Sequence, residues 1–343
     1  SAGNGEKGCV DDVLVVDKFS DILKPKIQAD LRARNTVFIH NRYFWVYFKD
    51  FAAVENDFKV PIYGNRSLVK LEERDHPNNQ YELLKKAGIR IPKIVRKGKS
   101  RMSQNEIGNS LDEYFASNRG ALIVKAPEAT RSYERAFFKV TRTTEYFEIG
   151  KKMIAEGTIT QEGLDNAVIE EFVLGAQINF NYFYSVLNNE LELMGTDTRR
   201  QTNLDGFLRL DAYEQQELRS HGIKPSMVET GHIAVTVKES LLEKAFAAGE
   251  KFIATLKKEA LPASGAAAPG MIGPFALQGA IAAEEGREEI VIFDVSMRIP
   301  GSPGTRFTPY SGYLYGDALS YGERIAMEIR QAVKQKRLGE ILT

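Results

Sequence analysis

The residues best placed to do chemistry lie in one stretch, Gly273 to Gly304, GPFALQGAIAAEEGREEIVIFDVSMRIPGSPG. It reads as two short strands, Phe275 to Ala282 and Ile290 to Arg298, joined by the turn Glu284-Glu285-Gly286-Arg287. Val291, Ile292, Phe293 and Val295 supply the β-branched and aromatic side chains that favour a strand. A hairpin folded about Gly286 sets Gln278 opposite Asp294, because the two are equidistant from it. Strand alternation then puts Asp294, Ser296 and Arg298 on one face. An amide, a carboxylate and a guanidinium sharing a surface could hold Mg²⁺ and a polyphosphate, with hard oxygens for the metal and Arg298 for the phosphoryl oxygens. The same residues also suit a surface hairpin with an ordinary ion pair, and the pattern leaves both readings open.

Other candidates are more scattered. Lys125 sits on the apolar run ALIVKA (121–126), from which it could reach a phosphate or simply point to solvent. The run AFFKV (136–140) is a second strand, and the connection between them, PEATRSYER, contains no glycine. The run VIEEFVL (168–174) is a strand carrying Glu170 and Glu171. His40-Asn41-Arg42-Tyr43 follows the apolar run TVFIH, past a strand's carboxyl end, where α/β folds bind ligands. A plain polar loop there is an equal reading.

The elements that must carry these residues are legible in outline. DVLVV (12–16), a helix over 25–34 and TVFIH (36–40) form a β-α-β pattern, which predicts a parallel sheet. VPIYGNR (60–66) is strand-like, and residues 78–87 read as a helix ended by Gly88. Residues 96–110 are polar and rich in glycine and serine, so they read as a loop or boundary. Residues 144–156 and 161–166 look helical. GAQINFNYFY (175–184) and ELELMGT (190–196) continue an antiparallel set, followed by a charged turn region over 197–209. Glu239 to Lys258 is a helix with Leu242, Phe246, Ile253 and Leu256 facing a core, and Ser320 to Leu338 is another with Ile325, Ile329 and Val333 on one face.

The totals bound the function class. The chain has 343 residues, 43% hydrophobic and 27% charged, as expected of a globular protein of one large or two to three small domains. Lys+Arg and Asp+Glu are both 46, so charge offers no case for a nucleic-acid or membrane partner. Cys9 is the one cysteine, which excludes an intrachain disulfide and suits a reducing cytoplasm. No apolar run approaches the ~20 residues of a membrane span. The opening SAGNGEKG lacks a Met and reads as a tag scar or a trimmed end.

Taken in order, VPIYGNRSL, KKAGIRIPK, IEEFVLGAQINFNYFYS, ELELMGTDTRR, NLDGFLR, PGMIGPFALQG, FDVSMRI and ERIAMEIRQA make a pattern far more specific than any one motif. On these the chain resembles the archaeal formate-dependent ligases that make 5-formaminoimidazole-4-carboxamide ribonucleotide, ATP-grasp enzymes of purine biosynthesis. The resemblance implies an α/β (α+β) ATP-grasp fold. Its parts would be an N-terminal α/β preATP-grasp domain over 1–95, incomplete at its N-terminus, a small nucleotide-clamping domain over 96–170 and a C-terminal grasp domain over 171–343. It implies ATP and Mg²⁺ as cofactors, and formate and a ribonucleotide amine as small-molecule partners. It further implies a cytoplasmic, closed homo-oligomer. Carried over by position, Lys125 looks like the strand lysine near the phosphates. Glu170, Glu171 and Val173 look like the adenine edge, Gln278 and Asp294 like the Mg²⁺ ligands, and Arg298 like the catalytic arginine on the phosphate. His40, Asn41, Arg42, Gln201, Asn203 and His232 fall where the ribonucleotide would lie.

Several of these positions depart from the family pattern. A first-strand Gly-Ser-His loop is absent, and His-Gly-Ser becomes His40-Asn41-Arg42. A family Glu is Gln201, a family Asn is His232, and the metal Glu is Asp294. The phosphate-covering loop, glycine-rich in the family, is here Glu128 to Arg135. Backbone cannot approach phosphate as closely without glycine, which leaves Arg131 and Arg135 as side-chain clamps. Three readings follow: the family's own ligase, the same chemistry on another acid or amine, or a nucleotide-binding paralogue without turnover.

Overall fold

In this computed structural model Gly273–Glu284 pairs with Arg287–Ser296, the edge strand of a five-stranded antiparallel sheet. The structure describes residues 11–41, 44, 48, 51–74, 76–117, 120–127, 136–201, 204–223, 229–259, 270–284 and 286–343. In chain order the strands are β1 Phe38–Ile39, β2 Ile62–Tyr63, β3 Ile94–Arg96, β4 Leu122–Lys125, β5 Phe137–Val140, β6 Val168–Glu171, β7 Gly175–Ser185, β8 Glu190–Gln201, β9 Glu229–Ala234, β10 Gly273–Glu284 and β11 Arg287–Ser296. The five-stranded sheet runs β11-β10-β7-β8-β9, and a four-stranded antiparallel sheet runs β3-β6-β4-β5. A parallel pair, β1-β2, stands apart.

β7 is buried without a break from Ile178 to Ser185, because both faces of its sheet are covered. Ile178, Phe180, Tyr182 and Tyr184 face a core shared with the helix Glu239–Lys258, where Tyr182 stacks on Phe275 at 4.9 Å. Phe183 faces the other way, toward Ile325 and Ala332 of the helix Tyr321–Gln335. Each fully buried large side chain here contributes roughly 1.5–3 kcal/mol.

Several sequence expectations need correction. DVLVV is not a strand: Val13, Leu14 and Val15 are 52%, 58% and 85% exposed, and no described residue pairs with them. The parallel ladder is instead TVFIH against VPIYG, Phe38 beside Ile62. Residues 104–110 belong to the helix Gln104–Ser117, whose Ile107, Leu111 and Tyr114 are buried at helical spacing. Asp197 to Gln201 is strand, not turn, because β9 pairs with it. On the helix Glu239–Lys258 the contact face is Ala245, Gly249 and Phe252, while Phe246 is 36% exposed. Small residues are needed there: a Cβ on Gly249 would stand 2.7 Å from Leu191 Cδ2 and 3.1 Å from the Tyr182 ring. Val333 likewise points outward, at 58% exposure.

Candidate functional site

β10 and β11 place Gln278 beside Asp294, but not by the symmetry the sequence suggests. Glu284 pairs with Arg287, so an unbroken ladder would set Gln278 against Phe293. A β-bulge between Gln278 and Gly279 inserts Phe293 as an extra residue and moves Asp294 into the opposite position. Gly279 permits it, since a Cβ there would lie 2.1 Å from Val291 O. The Phe293 carbonyl, released from the ladder, accepts from Lys125 Nζ at 3.4 Å and Arg74 Nη2 at 3.5 Å, with Tyr81 Oη 3.2 Å away.

These groups meet in a cavity between the two sheets. Lys125, Glu170, Glu171, Val173, Gln278 and Asp294, all singled out from the sequence, line it. Ile123, Phe137, Phe172 and Phe293 add an apolar wall. Lys125 Nζ lies 2.5 Å from Glu170 Oε1, with both side chains buried. The other Glu170 oxygen accepts the Tyr81 hydroxyl in a short hydrogen bond. Burial pushes the Lys125 ammonium down from its ordinary value, against the pull of Glu170. Burial also pushes the Tyr81 phenol far up, so it stays protonated and donates. Arg74 donates Nε–H to Tyr81 Oη at 3.2 Å and Nη2–H to Asp294 Oδ1 at 2.9 Å. Among the described residues lining the cavity, Arg74, Lys125 and Arg199 thus face Glu170, Glu171 and Asp294.

The donor set suits a nucleotide polyphosphate with a divalent cation. Such cations use one or two carboxylates plus phosphate oxygens and water. Asp294 is a carboxylate of that kind lining the cavity. Gln278 stands across from it, although its Oε1 accepts from Arg199 Nη2 at 2.7 Å and its Nε2 donates to Ser296 Oγ at 2.9 Å. Among the described residues no three His, Cys, Asp or Glu side chains form a self-sufficient metal cage. The apolar wall fits a planar base.

Arg298 does not line this cavity. It lies beyond the end of β11, with Nη2 3.3 Å from Glu72 Oε2 and Nη1 donating to Ile299 O at 3.1 Å. Its Nε is buried and has no hydrogen-bond partner among the described residues. Glu72 also accepts Met297 N at 2.6 Å, which ties the strand end to residues 69–72. His40 is buried beside Arg298 and Arg66, and burial first, then those charges, push it down to about 3, so it is a neutral imidazole. Asn41 is exposed and bridges Ile299.

His232 belongs to a third cluster, around Asp197 of β8. Asp197 is fully buried and accepts from Asn179 Nδ2 at 2.8 Å, Asn181 Nδ2 at 2.6 Å and Ser302 Oγ at 2.5 Å. His232 Nδ1 lies 2.5 Å from Asp197 Oδ1 and its Nε2 lies 2.9 Å from Glu229 Oε1. Burial would raise the Asp197 carboxyl, but the four hydrogen bonds together outweigh it and hold the group below its ordinary value. The hydrogen bond to Asp197 raises His232, more than burial lowers it. The His232 ring is therefore already held between two carboxylates. Arg199 links this cluster to the cavity, since Nη2 bonds Gln278 and Nε lies 3.3 Å from Glu229 Oε2, without hydrogen-bond geometry.

Arg42, Arg131, Arg135 and Asn203 lie outside the described residues, as does the Gln201 side chain. Arg74, Tyr81, Glu72, Asn179, Asp197 and Arg199 were not singled out from the sequence. Arg74 and Tyr81 sit in a polar stretch with no motif, more than two hundred residues from Asp294, so only alignment with relatives would flag them.

Comparison with known proteins gives a consistent result. A family model described as a domain of unknown function (DUF1297) matches residues 145–343, and one described as a protein of unknown function (DUF1246) matches residues 6–95. The 5-formaminoimidazole-4-carboxamide-1-(beta)-D-ribofuranosyl 5'-monophosphate synthetase of Methanothermobacter thermautotrophicus is 36% identical over 336 residues, covering 97% of this chain and 83% of that protein. The structure of an IMP biosynthesis protein PurP from Thermococcus kodakaraensis superposes with a TM-score of 0.63 at 23% identity, covering 97% of this chain and 86% of the other. An ADP complex of N5-carboxyaminoimidazole ribonucleotide synthetase superposes at 0.52 with 13% identity, over 84% of this chain and 59% of the other. The two-sheet architecture is the ATP-grasp fold. The chain belongs to the family of 5-formaminoimidazole-4-carboxamide ribonucleotide synthetases.

Proposed function

We propose that the protein is an ADP-forming ligase that joins formate to the amine of 5-aminoimidazole-4-carboxamide ribonucleotide. The observation that carries this reading is the match to synthetases of that name along nearly the whole chain. In the proposed reaction a formate oxygen attacks the γ-phosphorus of ATP, ADP leaves, and formyl phosphate forms. The ribonucleotide amine then attacks the formyl carbon, loses a proton and expels phosphate. No protein nucleophile is required, so catalysis is positioning and charge neutralisation.

The cavity between the sheets is the proposed nucleotide site. Glu170, Glu171 and Val173 border the base, and Lys125, Arg131 and Arg135 serve the phosphates. A divalent cation held by Asp294 and Gln278 would offset phosphate charge when bound. Arg298, past the end of β11 and outside the cavity lining, is the proposed contact to the transferring phosphoryl group. His40, Asn41, Arg42, Gln201, Asn203 and His232 border the proposed ribonucleotide pocket. We assign residues 1–95, 96–170 and 171–343 to the preATP-grasp, clamping and grasp domains, and expect a cytoplasmic homo-oligomer.

The test is ADP release and formamido-product formation with ATP, Mg²⁺, formate and the ribonucleotide. Equal amounts of both, absent without formate, support the reading. Turnover only with another acid or amine identifies a diverged ligase, and ATP binding without turnover identifies a binding paralogue. Asp294→Asn should weaken Mg²⁺-dependent ATP binding with the fold intact. Unchanged affinity would remove Asp294 from the metal site.

A further inference from the structure

Arg74 is a cavity-lining side chain to which neither the chemistry above nor the sequence pattern assigns a part. Its guanidinium is held from two sides. Nε–H donates to Tyr81 Oη at 3.2 Å, and the guanidinium carbon lies 5.7 Å from the centroid of the same ring. Nη2 reaches Asp294 Oδ1 at 2.9 Å and the bulged Phe293 carbonyl at 3.5 Å. The Arg74 side chain is 23% exposed and that of Asp294 34%, so solvent and solutes reach the pair. Its main chain is anchored too, because Asn79 Nδ2 donates to Arg74 O at 3.0 Å while its Oδ1 caps the helix Gln80–Lys86.

We propose that Arg74 is a built-in counter-cation of Asp294. It occupies that carboxylate while the nucleotide is absent and turns to a polyphosphate oxygen when a divalent cation arrives with the nucleotide. This rests on the nucleotide reading of the cavity. Among the described lining residues, Arg74, Lys125 and Arg199 match Asp294, Glu170 and Glu171 in number, so these side chains leave no net negative charge to attract a lone metal ion. A bare divalent cation at Asp294 would meet a guanidinium on the same carboxylate, and two like charges so close repel. A polyphosphate arriving with the cation brings the negative charge that lets both stay. Guanidinium suits the exchange, since its planar fork bonds carboxylate and phosphate oxygens alike. The Tyr81 contact keeps Arg74 in the cavity after it leaves Asp294. The residue would therefore make the cavity select a cation–nucleotide complex over free metal.

The test is calorimetry and Mn²⁺ electron paramagnetic resonance on the full chain, with Mn²⁺ alone, Mn²⁺ with ADP, and adenosine. Arg74→Gln should bind Mn²⁺ alone about tenfold more tightly than the wild type and Mn²⁺–ADP more weakly. Adenosine affinity should not change, and Arg74→Lys, which keeps the charge, should hold Mn²⁺ alone at the wild-type value. Mn²⁺ affinity unchanged or weakened in Arg74→Gln overturns the proposal. A wild type that binds neither adenosine nor Mn²⁺–ADP overturns the nucleotide reading itself, which is a distinguishable failure. Should Arg74→Gln not fold, the wild type answers through its arginine Nε resonances. The Arg74 signal should shift with Mg²⁺–ADP but not with adenosine, and an unmoved signal under saturating Mg²⁺–ADP counts against the exchange.

Discussion

Lys125 Nζ lies 2.5 Å from Glu170 Oε1, and the two side chains are 6% and 1% exposed. A pair this deep contributes little net stability, yet breaking it from one side strands a buried charge. Glu170→Gln should therefore cost about 3–5 kcal/mol, whereas the double change Lys125→Met with Glu170→Leu should cost far less. Urea denaturation checks both. A loss below about 1 kcal/mol in Glu170→Gln would mean that Lys125 finds another partner or neutralises freely.

Gly279 should not tolerate a side chain. A Cβ there would stand 2.1 Å from Val291 O, a backbone atom that cannot swing aside. Gly279→Ala should cost roughly 2–4 kcal/mol and disturb the register that sets Gln278 beside Asp294. Thermal melting reports the first effect and ATP titration the second. A variant as stable as the wild type with full ATP affinity would show that the bulge adapts.

The Asp197–His232 pair makes stability depend on pH in a stated direction. His232 has a raised folded pKa, so its contribution is complete below the ordinary value of 6.5 and fades as pH rises through the raised one. Asp197 has a lowered folded pKa, so its contribution is complete above 3.8 and fades as pH falls through the lowered one. The stability gap between wild type and His232→Asn should be widest at about pH 5 and shrink by roughly 1–2 kcal/mol toward alkaline pH. Melting curves at several pH values measure it. A gap that does not change with pH would mean that the ring is neutral throughout.

Arg324 should be structural and exacting. Its Nε and Nη2 donate to the two Glu192 oxygens at 2.7 and 2.6 Å, Nη1 donates to Glu328 at 2.9 Å, and the group lies 4.1 Å from the Phe183 ring centroid. Lysine carries the charge but not the fork. Arg324→Lys should lose about 3 kcal/mol while the folded fraction keeps its ATP affinity. Loss of ATP binding in fully folded Arg324→Lys would tie the network to the nucleotide site.

Local sequence determined the strands and helices whose side chains repeat at a regular period. Runs such as FALQGAIA and IVIFDVS are strands, and Glu239–Lys258 is a helix end to end. The order of the matched motifs determined the family, because many short matches in sequence rarely arise together. Tertiary structure decided the pairings. DVLVV has strand composition but no neighbour among the described residues to complete its hydrogen bonds, so it is not a strand. Gln278 meets Asp294 through a one-residue bulge at Phe293, which depends on the space left by Gly279 rather than on any local preference. The polar partners Arg74, Tyr81 and Glu72 reach the hairpin from across the chain, where composition gives no sign of them. Periodicity reports what a segment can bury on its own, whereas the charges that meet in a cavity depend on how distant segments pack.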